Sequence, residues 1–567
     1  MRRRLVAAVA GVPGARRVAR QLRRASAPTR RITRPITRRR QHRRLAGVVA
    51  GLVAEPAAPA VALIGTEAEA GTLAEQIRAG APGAVVTTYP GDETERHVAM
   101  VVAGPFDVLV DLGDPADRLR RFETTLFHLR RGGTYVVPDG AVELGPRRGD
   151  LGAMLDPVGP GPEVEPARLS EFRAVVARHV THRVAGPDLL LTHDVVRVLA
   201  KMREDEFNDY LRAGTSRHRL LKTIPAGPPL AAPPGEEGPE PRKQPMHRPI
   251  SRATISLREY RDVSVGRWQV ITDERVLLPD TYRHNQWAAL THTKLLEYGP
   301  RFAVPKPWRP GVPPRLEGTF LHLDNEFRGH FGHLLTESLS RVWAWPEALA
   351  IDPDVRVLLG STKPRPRPLE YELMLYEAAG IPRDRLVVID RPVRVDRLIS
   401  GTPLFSHPQY VHPHIAQTWR EVGDRLADQA EDRDWPRRFF VGRRSDKRAC
   451  VNGTEVEAIF AEYGFEVLYP EDYTLGEQVR LFRSAEVVAG YAGSGLFQIA
   501  FVPDPTHVIM VGSASYTPRN EYLMAAVHGH RVEAVVCEPI GRGIQASYTF
   551  DAEREGPYLR SLLDRLP

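Results

Sequence analysis

The sequence predicts an α/β protein built from successive strand-and-helix units, and three observations carry that expectation. Short apolar runs alternate with helical stretches between Ala60 and Asp139. A proline-rich stretch, Pro225 to Pro249, offers no periodic apolar face. Beyond it the alternation resumes as far as Val511. Strands that are apolar throughout, rather than at every second residue, belong to parallel sheets covered by helices. At roughly 100–150 residues per domain, a chain of 567 residues holds about two to four domains.

The chain opens on a basic run. From Arg2 to Arg44 there is no Asp or Glu, and this segment dominates a net charge of +8. Such a composition cannot bury enough apolar surface to fold, so residues 1–50 are expected to form a disordered arm. The arm is either a solvated tail or one drawn to anionic lipid headgroups or polyanionic glycans. Nucleic acid is not an expected partner, because no Phe, Tyr or Trp stands among the arginines up to Arg44 to stack on bases. Leu5 to Val12 imitates the core of a signal peptide, but Pro13 and Arg16-Arg17 follow at once, which argues against export. No apolar stretch approaches the ~20 residues that span a bilayer. The isolated Cys450 and Cys537 suggest neither a metal site nor a disulfide framework. With 42% hydrophobic and 26% charged residues, the expectation is a cytoplasmic protein, peripheral at the inner membrane face if the arm docks there.

The first unit, expected over residues 55–222, starts with the apolar run Ala60 to Gly65, then a helix from Glu67 to Arg78 and a β-rich Ala84 to Tyr89. Phe106 to Asp114, an amphipathic helix to Leu129 and Arg130-Arg131-Gly132-Gly133-Thr134-Tyr135-Val136-Val137-Pro138-Asp139 follow. From about Ala57 to Leu144 this resembles the later half of class I methyltransferases. Gly65-Thr66-Glu67-Ala68-Glu69-Ala70-Gly71 departs from that pattern: it lacks the close glycine triplet at which a methyl donor approaches the backbone. No acid ends the Tyr89 strand to hold a ribose. The expectation is a Rossmann-like domain without methyl transfer, extended by helical text from Glu165 to Leu221.

Residues 223–250 read as a linker between domains. Two further α/β units are expected over 251–425 and 426–567. The first has strands at Gln269–Thr272, Phe320–Leu323, Val355–Leu359 and Leu386–Ile389, with a helix from Leu334 to Trp345. The second has strands at Phe439–Val441, Phe465–Leu468, Val487–Gly490 and Val508–Val511, with helices at Glu455–Tyr463 and Leu475–Ser484.

Val487 to Phe497 is a strand emptying into small residues, Gly490-Tyr491-Ala492-Gly493-Ser494-Gly495-Leu496, that open a helix. Such a turn lets backbone N–H groups meet a diphosphate, although close packing of helix on sheet would use the same residues. Upstream, Arg443 to Arg448 forms a basic loop just beyond a strand, where a guanidinium fork matches phosphate oxygens, or where a solvated charged loop could equally lie. Asn452 or Thr454 can cap the helix that follows. His333 and Glu337 lie four apart, on one face of a helix. Either could act as a general base, or His333 could pack the helix start while Glu337 serves as a surface partner. Asp352-Pro353-Asp354 has the spacing of a metal-binding pair, but its proline and position suggest a turn.

From about Thr254 to Pro539 these pieces, in this order, resemble glycosyltransferase family 61, which includes capsular-polysaccharide transferases. The pieces are His330-Phe331-Gly332-His333 through Arg341; Arg443, Arg448, Asn452 and Glu455; Tyr469-Pro470-Glu471 through Phe482; the glycine turn; and Phe501-Val502-Pro503. The resemblance implies a GT-B-like pair of Rossmann-type units, a nucleotide-sugar co-substrate held by the second, and inverting transfer to a polysaccharide or glycolipid acceptor without a bound metal or other cofactor. It implies catalytic roles for Glu337, His333 and Arg443. Donor contacts would come from Arg443, Arg448, Asn452, Glu471, Gln478, Gly490, Tyr491, Gly493, Ser494, Gly495 and Leu496. Ala492 stands where the family has His, and His330-Phe331 stands where it has Asn-Tyr. The alternatives are a bifunctional glycan methyltransferase and glycosyltransferase, or a catalytically weakened scaffold in polysaccharide assembly.

Overall fold

The computed structural model describes residues 34–54, 58–145, 149–156, 167–214, 216–240, 242–286, 289–306, 312–362, 367–444 and 447–566. The chain divides into two compact units, one drawn mainly from residues up to Val196 and one mainly from Arg197 onward.

The first unit is an α/β domain on a six-stranded sheet. Its strands are β1 (Ala60–Ile64), β2 (Val85–Tyr89), β3 (Phe106–Asp111), β4 (Leu129–Val137), β5 (Val180–Ala185) and β6 (Asp188–His193), in the order β2-β1-β3-β4-β6-β5. β1 to β4 run parallel, and β6 reverses against β4. β1 and β3 are buried almost throughout, as the unbroken apolar runs require.

The basic arm needs correction. Residues 1–33 lie outside the described residues, but Arg34–Leu52 is a helix rather than a disordered tail. Its Leu45, Ala46 and Val49 are buried in the core with Leu63, Leu73 and Ile77. Arg44 is held between Asp139 and Asp188 at 2.8 and 2.7 Å, and Arg38 by Glu69 at 2.7 Å. The arginine count hides an apolar stripe at helical spacing, Leu45-Ala46-Val49.

The second unit holds two large sheets. One has eleven strands, and its centre runs β7 (Ile255–Val265), β11 (Val393–Gly401), β8 (Arg315–His322), β9 (Arg356–Gly360), β10 (Leu386–Ile389). The last four are mutually parallel, the Rossmann-type part; β7 pairs antiparallel with β11 and begins a mixed extension.

The final sheet is parallel throughout: β12 (Arg438–Val441), β13 (Glu466–Leu468), β14 (Val487–Tyr491), β15 (His507–Ser513) and β16 (Arg531–Cys537), in the order β13-β12-β14-β15-β16. The proline-rich stretch read as a linker supplies its sixth strand, Glu237–Gly238, parallel to β16. Helices Gly453–Glu462, Leu475–Ser484 and Asn520–His528 make the crossovers. Strand order reverses between β12 and β14, the point at which open α/β sheets bind ligands beyond their carboxyl ends. Among the described residues no helix is long and apolar enough to cross a membrane.

Candidate active site

The basic loop leaves β12 and the glycine turn leaves β14, so sheet topology brings them together at the reversal point. Gly493 has φ +133°, a conformation that strains any residue with a side chain. A Cβ there would also lie 3.0 Å from Nη2 of Arg448 and 3.1 Å from Nη2 of Arg443. The two guanidinium groups therefore converge over this one glycine. Beyond it Ser494–Phe501 is a 3₁₀ helix, tighter than the α-helix the sequence suggests.

The two arginines differ in what holds them. Arg443 donates from Nη1 to the carbonyls of Arg448 and Lys447, and from Nη2 to the carbonyl of Ala492 at 2.8 Å. It clamps the basic loop to the glycine turn, and burial lowers its pKa. Arg448 lies over the Tyr516 ring, 4.9 Å from its centroid, with φ +57°. Arg444 turns away to Asp472.

Gly493 N–H donates to Glu521 Oε1 at 2.7 Å. Glu521 is fully buried, and its other carboxylate oxygen has no hydrogen-bond partner. Burial pushes its pKa up, against the pull of the Gly493 N–H and Arg448.

The His333 helix meets this turn directly. A Cβ on Gly332 would lie 3.2 Å from both Ser494 Cβ and Phe497 Cε2. His333 Nδ1 is 2.6 Å from Glu337 Oε1, which also accepts Arg283 Nε at 2.6 Å. Burial opposes ionisation of Glu337, but His333 and Arg283 outweigh it and hold the carboxyl well below its ordinary range. An ionised Glu337 can only accept, so His333 donates to it from Nδ1, and Nε2 is the ring nitrogen left to meet a ligand. The imidazole is further fixed by stacking on Phe327, with centroids 4.7 Å apart, and by an edge contact with His330. His330 has its pKa lowered to about 4 by burial, then by His333, Lys447 and Arg448, which places it beside the basic loop. Leu334–Ser338 is a π-helical turn, a local widening frequent at functional sites.

Other expected donor contacts are engaged elsewhere. Asn452 exchanges hydrogen bonds with the backbone of Phe550 and makes no side-chain cap, so it anchors the loop. Gln478 donates to the carbonyls of Pro470 and Tyr473 and accepts from Gln498. The Tyr491 hydroxyl bonds to Gly453 O and Glu457, away from the turn, so it does not replace the histidine expected at Ala492. Gly490 and Gly495 pack on Val441, and Leu496 is in the core. Glu471 is exposed in a 3₁₀ turn. Asp352 accepts from the Asp354 N–H in a turn. Arg283, His407, Glu521 and Tyr516 join the site without any sequence pattern to announce them.

Residues 331–509 match the family model Glycosyltransferase 61. That stretch is similar to glycosyltransferase 61. It contains His333, Glu337, both converging arginines and the glycine turn. No curated protein matches the chain. Among solved structures, the MycE methyltransferase from the mycinamycin biosynthetic pathway is similar over 24% of this chain and 45% of its own, at 18% identity and TM-score 0.18. The chain thus spans less than half the length of MycE. An O-methyltransferase from Bacillus cereus is similar over 33% of this chain and 96% of its own, at 15% identity and TM-score 0.18.

The first unit does not fit a methyl donor at its own reversal point, between β1 and β3. A Cβ on Gly65 would lie 2.9 Å from Leu112 Cβ, so the two strand ends are packed together. Asp111 accepts from Arg121 Nε at 2.7 Å and from Gly113 N at 3.0 Å. A Cβ on Gly113 would meet the Arg121 guanidinium carbon at 2.5 Å. Asp111, at the end of β3, is thus already paired within the protein.

Proposed function

We propose that the second unit is an inverting glycosyltransferase that moves a sugar from a nucleotide-sugar donor to a polysaccharide or glycolipid acceptor. The observation that carries this reading is that the helix bearing His333 and Glu337 packs, through Gly332, on the turn over which Arg443 and Arg448 converge. His333 Nε2 takes the proton of the acceptor hydroxyl, and Glu337 holds the resulting imidazolium. The acceptor oxygen attacks the anomeric carbon opposite the leaving group. The bond from that carbon to the diphosphate oxygen breaks, and Arg448 faces the released charge in place of a bound cation. Arg443 acts through the loop it clamps, as a positioning residue rather than as the catalytic group the sequence suggests. The acceptor would be met at the inner membrane face.

Incubation of the purified chain with a panel of nucleotide sugars and glycan acceptors, with detection of the nucleoside diphosphate and of an inverted linkage, tests the reading. Release dependent on His333 and Arg448 supports it. Absence of donor binding to the native chain in saturation-transfer NMR would overturn it and favour the scaffold reading that Ala492 raises.

A further inference from the structure

We infer that a polar cavity beside the Glu337 site, in the same unit, is a subsite for neutral sugar residues of the acceptor; this rests on the glycosyltransferase reading. The cavity has a volume of about 400 Å³, within the range of roughly 300–1,000 Å³ common for small-molecule sites. One wall is the helix Glu204–Arg212. Ala226, Arg252, Thr254 and Gln286 also line it.

Its chemistry selects the ligand class. Arg203, Arg212 and Arg252 are matched by Glu204, Asp205 and Asp209, three cations against three anions, so neither a phosphate nor a cation is favoured. A sugar hydroxyl both donates and accepts, and can therefore satisfy a carboxylate and a guanidinium at once. The amides of Asn208 and Gln286 add to that mixed set. The floor is built rather than incidental. Glu204 and Asn208 are 3% and 4% exposed, and both are held by the fully buried Arg258, at 2.6 and 2.9 Å. Gln286 donates to Glu204 at 3.0 Å. Nε of Arg203 and Nε of Arg252 are buried without a hydrogen-bond partner.

Two chain segments lead from this cavity to the Glu337 site. Gln286 lines the cavity, while His284 and Arg283 line the small space around Glu337. Thr402 hydrogen-bonds to Glu204, while Pro403, Phe405 and His407 line the Glu337 space. With Cα atoms about 3.8 Å apart along a chain, the two or three steps from Gln286 to His284 and Arg283 span at most about 7–11 Å, and Thr402 adjoins Pro403. An acceptor chain held at Glu204 would thus lie within reach of His333.

Saturation-transfer NMR of the full chain tests the subsite, with cellobiose, lactose and N,N′-diacetylchitobiose as probes and UDP and GDP as reporters of the donor site. Ala226→Trp plugs the cavity wall without touching the Glu204–Arg258 network; Thr254→Trp, at an exposed position, replaces it if the first variant does not fold. We expect at least one disaccharide to receive saturation in the native chain and to lose it in the plugged variant, while nucleotide signals persist in both. No disaccharide signal, or an equal signal in the plugged variant, overturns the subsite. Missing nucleotide signals in the native chain overturn the transferase reading instead, whatever the disaccharides show.

Discussion

Glu521 accepts the backbone N–H of Gly493 at 2.7 Å and so occupies a donor at the centre of the glycine turn. A carboxylate buried there fixes the one residue of the turn that must keep φ +133°. Glu521→Leu leaves that N–H unpaired and is expected to cost about 1–3 kcal/mol, measured by urea unfolding.

The same residue gives a pH prediction. The folded state raises the pKa of Glu521, so the folded chain holds this proton more tightly than the unfolded one. Its contribution is full below the ordinary value of 4.5 and is lost as pH rises through the folded value. Glu521→Gln has no such loss. Its melting temperature should exceed that of the native chain at neutral pH and match it more nearly in acid.

His333→Ala is expected to lower kcat by roughly 10²–10⁴-fold, the usual range for a general base, with donor binding retained. Glu337→Gln should cost less, roughly 10–100-fold, by loosening the tautomer and orientation of His333. A Glu337→Gln loss greater than that of His333→Ala would make Glu337 itself the base.

Arg448→Ala and Arg443→Ala should separate cleanly. Arg443 is held by carbonyls of its own loop and of the glycine turn, so its loss should lower the melting temperature as well as activity. Arg448→Ala should leave the melting temperature near native while weakening binding of nucleoside diphosphate in calorimetry.

Buried imidazoles predict acid sensitivity of the whole second unit. His284 has its pKa lowered to about 4, and His407 and His322 to about 3, in each case chiefly by burial. Unfolded, these groups bind protons below about 6.5, so the unfolded chain is favoured as pH falls from 6.5 towards 3. His322 is fully buried with both ring nitrogens unpartnered. His322→Phe should therefore flatten the fall of melting temperature over that window.

The full chain should show no heat of binding with S-adenosylmethionine, because Asp111 at the end of β3 is already paired with Arg121. Measurable binding would mean that the pair opens.

The glycine turn and the basic loop were legible because each is a local pattern, a strand followed at once by small or basic residues, and sheet order does the rest. The His333–Glu337 pair was legible from helical spacing alone. Which groups reach the ligand was not. Asn452 and Gln478 stand in the family pattern, yet each amide is turned into the protein, Asn452 to a residue 98 positions away. Arg283 comes to Glu337 from 54 positions away and bridges it to His407, 124 positions from Arg283. No periodicity encodes contacts of that length, since they arise only once both sheets are formed. The arginine helix was misread for the opposite reason: its charge is conspicuous and the apolar residues it sends into the core lie in its last turns, from Leu45 onward.

The short strand Glu237–Gly238 has a consequence for how the molecule can be divided. It covers the outer edge of β16, and Tyr522 donates to Glu237 at 3.0 Å to hold it there. A fragment begun at residue 251, just after the proline-rich stretch, would bare the backbone of β16, an apolar parallel strand with free amides and carbonyls. Exposed edges of that kind recruit other strands. Such a fragment would aggregate or swap strands between copies, whereas one that keeps the proline-rich stretch carries its own edge guard.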